Sequence, residues 1–181
     1  MTVVDMAGLT GDTADAFDTL VARARSDLGF DLVPRSARRT CAQQAEQYAI
    51  GRLPGDTRAI VTRAKGCRSW HVLGRAVDVF VVRGGVRSTD YADYQAMGQL
   101  AESLGWVWGG HFSGFGPQGD YGHVEYHPGL TIAALCPNPD NCVDIVPGAR
   151  KKPAIGVLGV VGGVLLLGAA AVGGVYLAGR T

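Results

Sequence analysis

The sequence lacks two features of common binding folds: a nucleotide-binding loop and an excess of basic charge. The phosphate-loop pattern G-x-x-x-x-G-K-[ST] does not occur, and the Gly-rich stretch that ends at Gly119 is too irregular to replace it. Outside four basic residues in the segment 150–181, 13 Lys and Arg stand against 16 Asp and Glu. Such a mildly acidic domain has no basic excess for nucleic-acid binding, so no nucleic-acid partner is predicted.

Charge is also missing from residues 153–179, which follow the basic run Arg150-Lys151-Lys152. A helix over these 27 residues would be roughly 40 Å long, and the hydrocarbon core of a bilayer is about 30 Å thick. The segment is therefore predicted to be a transmembrane helix with its basic end in the cytoplasm. Gly159-x-x-x-Gly163 within it favours tail-mediated self-association.

The four cysteines, Cys41, Cys67, Cys136 and Cys142, form no C-x-x-C pair, so a zinc knuckle is not predicted. Cys136 and Cys142 flank a turn-rich loop, 137–141, that a disulfide between them would close in an oxidising compartment. Free thiols are the alternative in a reducing compartment.

Helices and short strands follow one another along the first 132 residues. Apolar residues at three- and four-residue spacing, with capping residues before them and glycines after them, predict helices, and short β-branched or aromatic runs predict strands. The predicted helices cover 12–28, 40–50 and 90–104, and the predicted strands 30–33, 59–62, 76–82, 106–108 and 121–126. This order is typical of an α+β domain with a small, mainly antiparallel sheet flanked by helices.

One carboxylate, Asp78, lies in the middle of an apolar strand, where an ionised group is costly unless it is paired or bound to a cation. A turn at Gly74 can bring His71 back beside it, and His123 can lie alongside if its strand pairs with the Asp78 strand. Two imidazoles and one carboxylate are a common ligand set for catalytic zinc, which leaves a fourth position to water. Asp78 paired with Arg75 or Arg83 is the alternative without a metal.

Hydrolysis also needs a base that accepts the proton of water. Asp120 stands three residues before His123, and Glu125 two residues after it, on the same strand face. Either acid could be the base, and Glu125 could instead orient or join the ligands. His127 adds a further potential ligand on that face.

These residues resemble the signature of a known family. The patterns Ser69-x-His71-x-x-Gly74-x-Ala76-x-Asp78 and Asp120-x-x-His123-x-Glu125 are similar to those of the zinc D-alanyl-D-alanine carboxypeptidase and L-alanyl-D-glutamate endopeptidase family of peptidoglycan peptidases, which includes bacteriophage endolysins. Upstream, Arg39-Thr40, Gln44, Tyr48 and Gly51-Arg52 follow the same family pattern, so the resemblance covers roughly residues 30–128. His111 and Gly122 depart from that pattern, at positions where relatives often carry an acid and a proline.

The resemblance implies a role for each matching residue. His71, Asp78 and His123 would bind one zinc ion, and Asp120 would be the general base. Arg39 would polarise or anchor a carbonyl or carboxylate of the substrate, while Gln44 and Ser69 would support substrate binding. The family fold, a small antiparallel sheet flanked by helices with zinc on the sheet, agrees with the α+β prediction.

The predicted organisation is a zinc peptidase domain at 1–132, a connector with Pro and Cys at 133–152 and a transmembrane helix at 153–179. The expected substrate is a peptidoglycan stem peptide, cut between L-Ala and D-Glu, and D-Ala-D-Ala carboxypeptidase activity is the alternative. A non-catalytic wall-binding module and a membrane lesion protein are the competing non-enzymatic hypotheses. The N-terminus shows no signal peptide, and the basic run places the domain on the cytoplasmic side, away from the wall. We therefore expect an endolysin or virion-associated enzyme, anchored in the host inner membrane or the virion by its tail.

Overall fold

The strand that carries Asp78 is the centre of an antiparallel sheet. The computed structural model describes residues 4–144, and five strands pair in the order β1, β2, β5, β4, with β3 added to β2. The strands are β1 (Asp31–Ser36), β2 (Ala76–Arg83), β3 (Val86–Arg87), β4 (Val107–Trp108) and β5 (His123–Glu125). Each pairing is antiparallel, which confirms the predicted sheet.

The helices are α1 (Gly11–Arg23), α2 (Cys41–Ala49), α3 (Tyr91–Ser103) and the single turn α4 (Ile132–Leu135). A π-helical turn, Ala24–Leu28, extends α1, and short 3-10 turns occur at Gly66–Arg68 and Gly109–His111. Thr40 caps α2 through a reciprocal pair of hydrogen bonds with Gln43, and Asp90 caps α3. The three long predicted helices are therefore confirmed, with ends shifted by one or a few residues.

Helices α1 and α3 cover one face of the sheet with a single apolar core. Phe17 and Leu20 of α1 and Met97 of α3 are fully or almost fully buried there, with Trp106, Trp108 and the valines of β2. The core fixes β2 on this side. The opposite side of the sheet carries the polar cluster described below.

One predicted strand is wrong: residues 59–62 have no regular structure. The backbone carbonyl oxygens of Thr62 and Ala64 accept hydrogen bonds from the side chains of Arg52 and Gln44, at 2.9 and 2.8 Å. Buried or partly buried backbone groups need partners, and in this segment side chains of α2 and its following turn supply them.

The predicted Cys136–Cys142 disulfide is also wrong, as is the alternative of free thiols. Cys41 pairs with Cys142 and Cys67 with Cys136, with Cα atoms 5.9 and 5.7 Å apart. Cys136 is buried beside Val72 in a small apolar cluster, so the loop 137–141 is attached to the domain by both of its ends. The first part of the predicted connector, through Asp144, is thus crosslinked to the segments that begin α2 and precede Ser69.

The predicted transmembrane helix 153–179 and the basic run before it lie outside the described residues. Within residues 4–144, no helix has the length and apolar character needed to span a membrane.

Candidate metal centre

Three chain segments bring the predicted ligands together. His71 lies in a tight turn that ends at Gly74, a glycine with φ +67°, and this turn returns the chain to β2. Asp78 points from the middle of β2, and His123 of β5 is directly opposite it in the strand register. The turn at Gly74 and the pairing of the two strands, both expected from the sequence, are therefore observed.

The three donor atoms face one another. The distances are 3.3 Å between His71 Nε2 and His123 Nδ1, 3.2 Å between His71 Nε2 and Asp78 Oδ1, and 2.7 Å between His123 Nδ1 and Asp78 Oδ1. A tetrahedral zinc ion about 2.0–2.2 Å from its ligands holds neighbouring donors roughly 3.3–3.6 Å apart. Two of the three spacings are within about 0.1 Å of that range, and all three residues are buried. The donor set therefore fits one zinc ion.

Each imidazole is held by its second nitrogen. His71 Nδ1 lies 2.5 Å from the backbone oxygen of Ala37, which can only accept, so Nδ1 carries the proton and Nε2 faces the centre. His123 Nε2 lies 2.9 Å from Glu125 Oε1, which leaves Nδ1 for the centre. Partners of this kind fix the tautomer and the ring orientation of metal-binding histidines.

Burial and charge set the protonation states of the metal-free centre. Burial opposes ionisation of Asp78, but His71 and His123 hold the pKa of its carboxyl well below the usual range. Burial would lower the pKa of His123, yet hydrogen bonds to Asp78 and Glu125 raise it to about 9. Burial lowers the pKa of His71, with Asp78 acting in the opposite direction. Without metal, His123 is thus the protonated imidazole.

The second oxygen of Asp78 binds arginines. Arg39 Nη2 donates to Asp78 Oδ2 at 2.9 Å, and Arg35 Nη2 lies 3.5 Å from the same oxygen. The pairing of Asp78 with Arg75 or Arg83 is wrong: these arginines contact Asp12 and Asp93 instead. Arg35 was missed because its partner lies across the β1–β2 pair, where the residue opposite Asp78 is Ser36.

Arg39 is held by its neighbours. Its Nε donates to Ser36 Oγ at 3.2 Å and its Nη1 to Gln44 Oε1 at 3.3 Å. Gln44 is fully buried and does not line the cavity beside the centre, so its contact is with Arg39 and not with the open space. Ser69 is nearly buried but does line that cavity, as Arg39 does.

Asp120 lies at the wall of the same cavity, before the bend that leads into β5. Its carboxylate makes no hydrogen bond within the described part of the chain, whereas Glu125 contacts His123 and, at 3.3 Å, His127 Nε2. Burial raises the pKa of the Asp120 carboxyl, although His123 acts in the opposite direction. Of the two acids considered as base, Asp120 is the one without another partner, and Glu125 holds a ligand.

The cavity has a volume of about 640 Å³. Besides the centre and Asp120, it is bordered by arginines and two phenylalanines that the sequence motifs did not single out: Arg35, Arg63, Arg68, Phe112 and Phe115. His111 is outside it, paired with Glu102 at 3.0 Å. His127 does not join the ligands; it stacks on Trp70, with ring centres 4.0 Å apart.

The Gly-rich segment before β5, residues 112–120, contributes Phe112, Phe115 and Asp120 to the lining of this cavity. Gly114, Gly116 and Gly119 do match a G-x-G-x-x-G spacing, but the segment joins a 3-10 turn to β5 and not a strand to a helix. The context of a dinucleotide-binding loop is therefore absent.

Two solved structures resemble the chain at low identity. The crystal structure of the Serratia marcescens L-Ala D-Glu endopeptidase ChiX has 19% identity and a TM-score of 0.48, over 68% of this chain and 84% of that one. A mutant of the vancomycin-resistance D,D-pentapeptidase VanY from a VanB-type cassette, in complex with Zn(II), has 20% identity and a TM-score of 0.46, over 74% and 80%. A comparison with curated protein sequences finds no match.

A family model described as D-alanyl-D-alanine carboxypeptidase matches residues 62–126. The matched segment contains His71, Asp78 and His123, together with Asp120, and it ends just after β5. The predictions of an enzyme and of a zinc cofactor agree with this match and with the ligand geometry. Residues 62–126, which hold the whole metal centre, thus match the D-alanyl-D-alanine carboxypeptidase family that the motifs resemble, and their donor set fits the predicted zinc ion.

Proposed function

We propose that this peptidase cleaves stem peptides of peptidoglycan at the bond between L-Ala and D-Glu. The observation that carries the proposal is the buried His71–Asp78–His123 cluster, which opens on a cavity with an unpartnered acid, Asp120, on its wall. The choice of bond rests on the segment from Arg39-Thr40 to Gly51-Arg52, which resembles the endopeptidase branch of the family.

His71, Asp78 and His123 would hold the zinc ion, which when bound polarises a carbonyl and lowers the pKa of water. The Asp120 carboxylate accepts a proton from the attacking water and passes it to the nitrogen of the leaving amine. Its raised pKa suits a group that must keep that proton between the two steps.

Arg39 binds the substrate with the donors that its neighbours leave free. A guanidinium has five N–H groups, and single contacts to Ser36, Gln44 and Asp78 leave one N–H on each terminal nitrogen. These point from a side chain that borders the cavity, where they can bind a carbonyl or carboxylate oxygen of the peptide. Ser69, on the same wall, is a further contact.

D-Ala-D-Ala carboxypeptidase activity is the second candidate, favoured by the description of the matching family model. The endopeptidase and carboxypeptidase activities are distinguished by incubating the zinc-loaded full chain with a pentapeptide stem that ends in D-Ala-D-Ala and identifying the products by mass spectrometry. We expect cleavage between L-Ala and D-Glu and one zinc ion per chain. Release of terminal D-Ala alone would replace the endopeptidase proposal with the carboxypeptidase.

The biological setting is also proposed. A segment 153–179 that spans the membrane, with the basic run on the cytoplasmic side, fits a lytic enzyme of a phage that is held at the host inner membrane or in the virion until the wall is to be cut. Membrane fractionation tests the anchor. The full-length chain should sediment with the membranes, and a chain ending at residue 152 should stay in the supernatant.

A further inference from the structure

The cavity carries more positive charge than its own acids neutralise. Four arginines border it, Arg35, Arg39, Arg63 and Arg68, together with three acids. Arg35 and Arg39 form ion pairs with Asp78. Glu125 contacts His123 and His127. The guanidinium groups of Arg63 and Arg68 make no hydrogen bond or ion pair within residues 4–144; the one contact of this kind at Arg68 is its backbone N–H on the Lys65 carbonyl. Two guanidinium groups are therefore available to a ligand.

Arg63 borders the cavity and packs against the Gly-rich segment 112–120. Its guanidinium lies against Gly114, where a methyl group would overlap both terminal nitrogens, and Gly114 has φ +86°. Phe112 and Phe115 flank that glycine and line the cavity. The planar donor group thus packs against the Gly114 backbone, and its N–H groups have no hydrogen-bond partner within the described residues.

Arg68 is positioned by the crosslinked wall. It ends the 3-10 turn Gly66–Arg68, whose middle residue, Cys67, is bonded to Cys136. The next residue, Ser69, is nearly buried at the cavity wall. The side chain is exposed, but the backbone that carries it is fixed a few residues from the ligand His71.

The matching chemical group is a carboxylate beside the scissile bond. A D-Glu residue has two carboxyl groups, one of which joins the next residue of the stem while the other stays free. Cleavage on the amino side of D-Glu brings that free carboxylate next to the reacting carbonyl. Arginine recognises a carboxylate through parallel charge-assisted hydrogen bonds, whereas a carboxamide has no charge and turns two N–H donors toward the guanidinium.

Resting on the proposed L-Ala–D-Glu specificity, we propose that Arg63 and Arg68 bind the free carboxylate of the D-Glu residue and make the enzyme selective for unamidated stem peptides. The chemical class of the substrate is thus an anionic peptide. Stems in which this carboxylate is converted to the carboxamide are poor substrates.

The test uses two stem peptides that differ only in carboxylate or carboxamide at D-Glu. In the zinc-loaded full chain we expect kcat/KM to be about 10- to 100-fold higher for the carboxylate, the range that corresponds to hydrogen bonds with a charged group. The ratio should fall toward one in the double variant Arg63→Gln with Arg68→Gln. Arg23→Gln, an exposed arginine of α1 outside the cavity, is the matched control and should keep the ratio.

Binding separates this inference from the cleavage specificity. The two peptides are titrated into zinc-loaded Asp120→Asn full chain, with and without the two arginine substitutions, and zinc content and circular dichroism verify folding. Tighter binding of the carboxylate peptide, lost with the arginines, supports the inference even if turnover releases D-Ala. Equal affinity for both peptides, or a preference that survives the double variant, overturns it.

Discussion

At the scale of single residues, Asp78 connects the metal centre to the substrate cavity. Its Oδ1 faces both imidazoles, and its Oδ2 binds Arg39. One carboxylate therefore contacts the candidate metal ligands and a guanidinium that borders the cavity at once. A small shift of β2 would therefore disturb both contacts.

The protonation of His123 gives the metal-free protein a pH-dependent stability. Its pKa in the fold, about 9, exceeds the usual value of about 6.5, so the charged form stabilises the fold. This contribution is fully present below pH 6.5 and is lost as the pH rises through 9. Denaturant unfolding of the chelator-treated protein should show a decreasing free energy of unfolding between pH 6.5 and 9.5. A flat profile across that range would contradict the assigned His123–Asp78–Glu125 network.

The base is tested by removing a single charge. Asp120→Asn should lower kcat by about 10²- to 10⁴-fold, the usual contribution of a general base, and should leave zinc content at the wild-type value because Asp120 is outside the ligand cluster. Peptide cleavage and metal analysis measure the two effects. Asp27→Asn, an exposed acid of the π-helical turn that contacts Arg23, is the control. Full activity of the Asp120 variant would transfer the role to Glu125.

At the scale of elements, the packing of α3 on β4 depends on one glycine. Gly98 in α3 faces the indole of Trp108, and a methyl group there would overlap the ring. Gly98→Ala gains about 1 kcal/mol of helix propensity but overpacks a buried contact at a cost of about 1–3 kcal/mol. We expect a net loss of stability, measured by thermal unfolding. Gly11→Ala is the control. Gly11 lies at the start of α1, where an added methyl group would meet no other atom, and the substitution should be neutral or stabilising.

Elements with a regular pattern of apolar residues could be predicted from the sequence. A segment whose backbone groups are hydrogen-bonded by distant side chains could not. The repeat of Phe17, Leu20 and Ala24 identified α1, and the apolar run around Asp78 identified β2. Residues 59–62 have an apolar composition that favours a strand, but the carbonyls of Thr62 and nearby Ala64 are hydrogen-bonded by side chains of the turn after α2 and of α2 itself, which no local pattern encodes.

The same distinction applies to the site. The convergence of His71, Asp78 and His123 followed from a glycine turn and a strand pairing, both of which leave local signals. Arg35, Arg63 and Arg68 reach the cavity through tertiary contacts, so their spacing in the sequence carries no information about it. The predicted Cys136–Cys142 disulfide was wrong for the same reason, because the cysteines nearest in sequence are not the ones that meet in the fold.

At the scale of the whole molecule, the two crosslinks attach the segment after β5 to the start of α2 and to the 3-10 turn that precedes Ser69 and His71. Replacing Cys67 and Cys136 together by serine removes a crosslink between residues 69 positions apart and should cost about 2–4 kcal/mol. Because Ser69 and His71 follow Cys67 directly, zinc affinity should fall as well. Denaturant unfolding and zinc competition measure these effects, with a Cys41→Ser and Cys142→Ser pair for comparison. Unchanged stability and unchanged zinc affinity would show that the crosslink does not support the site.

The Cys67–Cys136 bond also closes a covalent ring that contains all three ligands and Asp120. The exposed residues 113–118 lie within this ring, and exposed loop tips are preferred sites of proteolytic cleavage. A protease that cuts there separates His71 and Asp78 from His123 in the linear chain, yet the two fragments stay joined through the disulfides. The protein can thus be nicked beside its own active site and remain one molecule, and only reduction would release the halves.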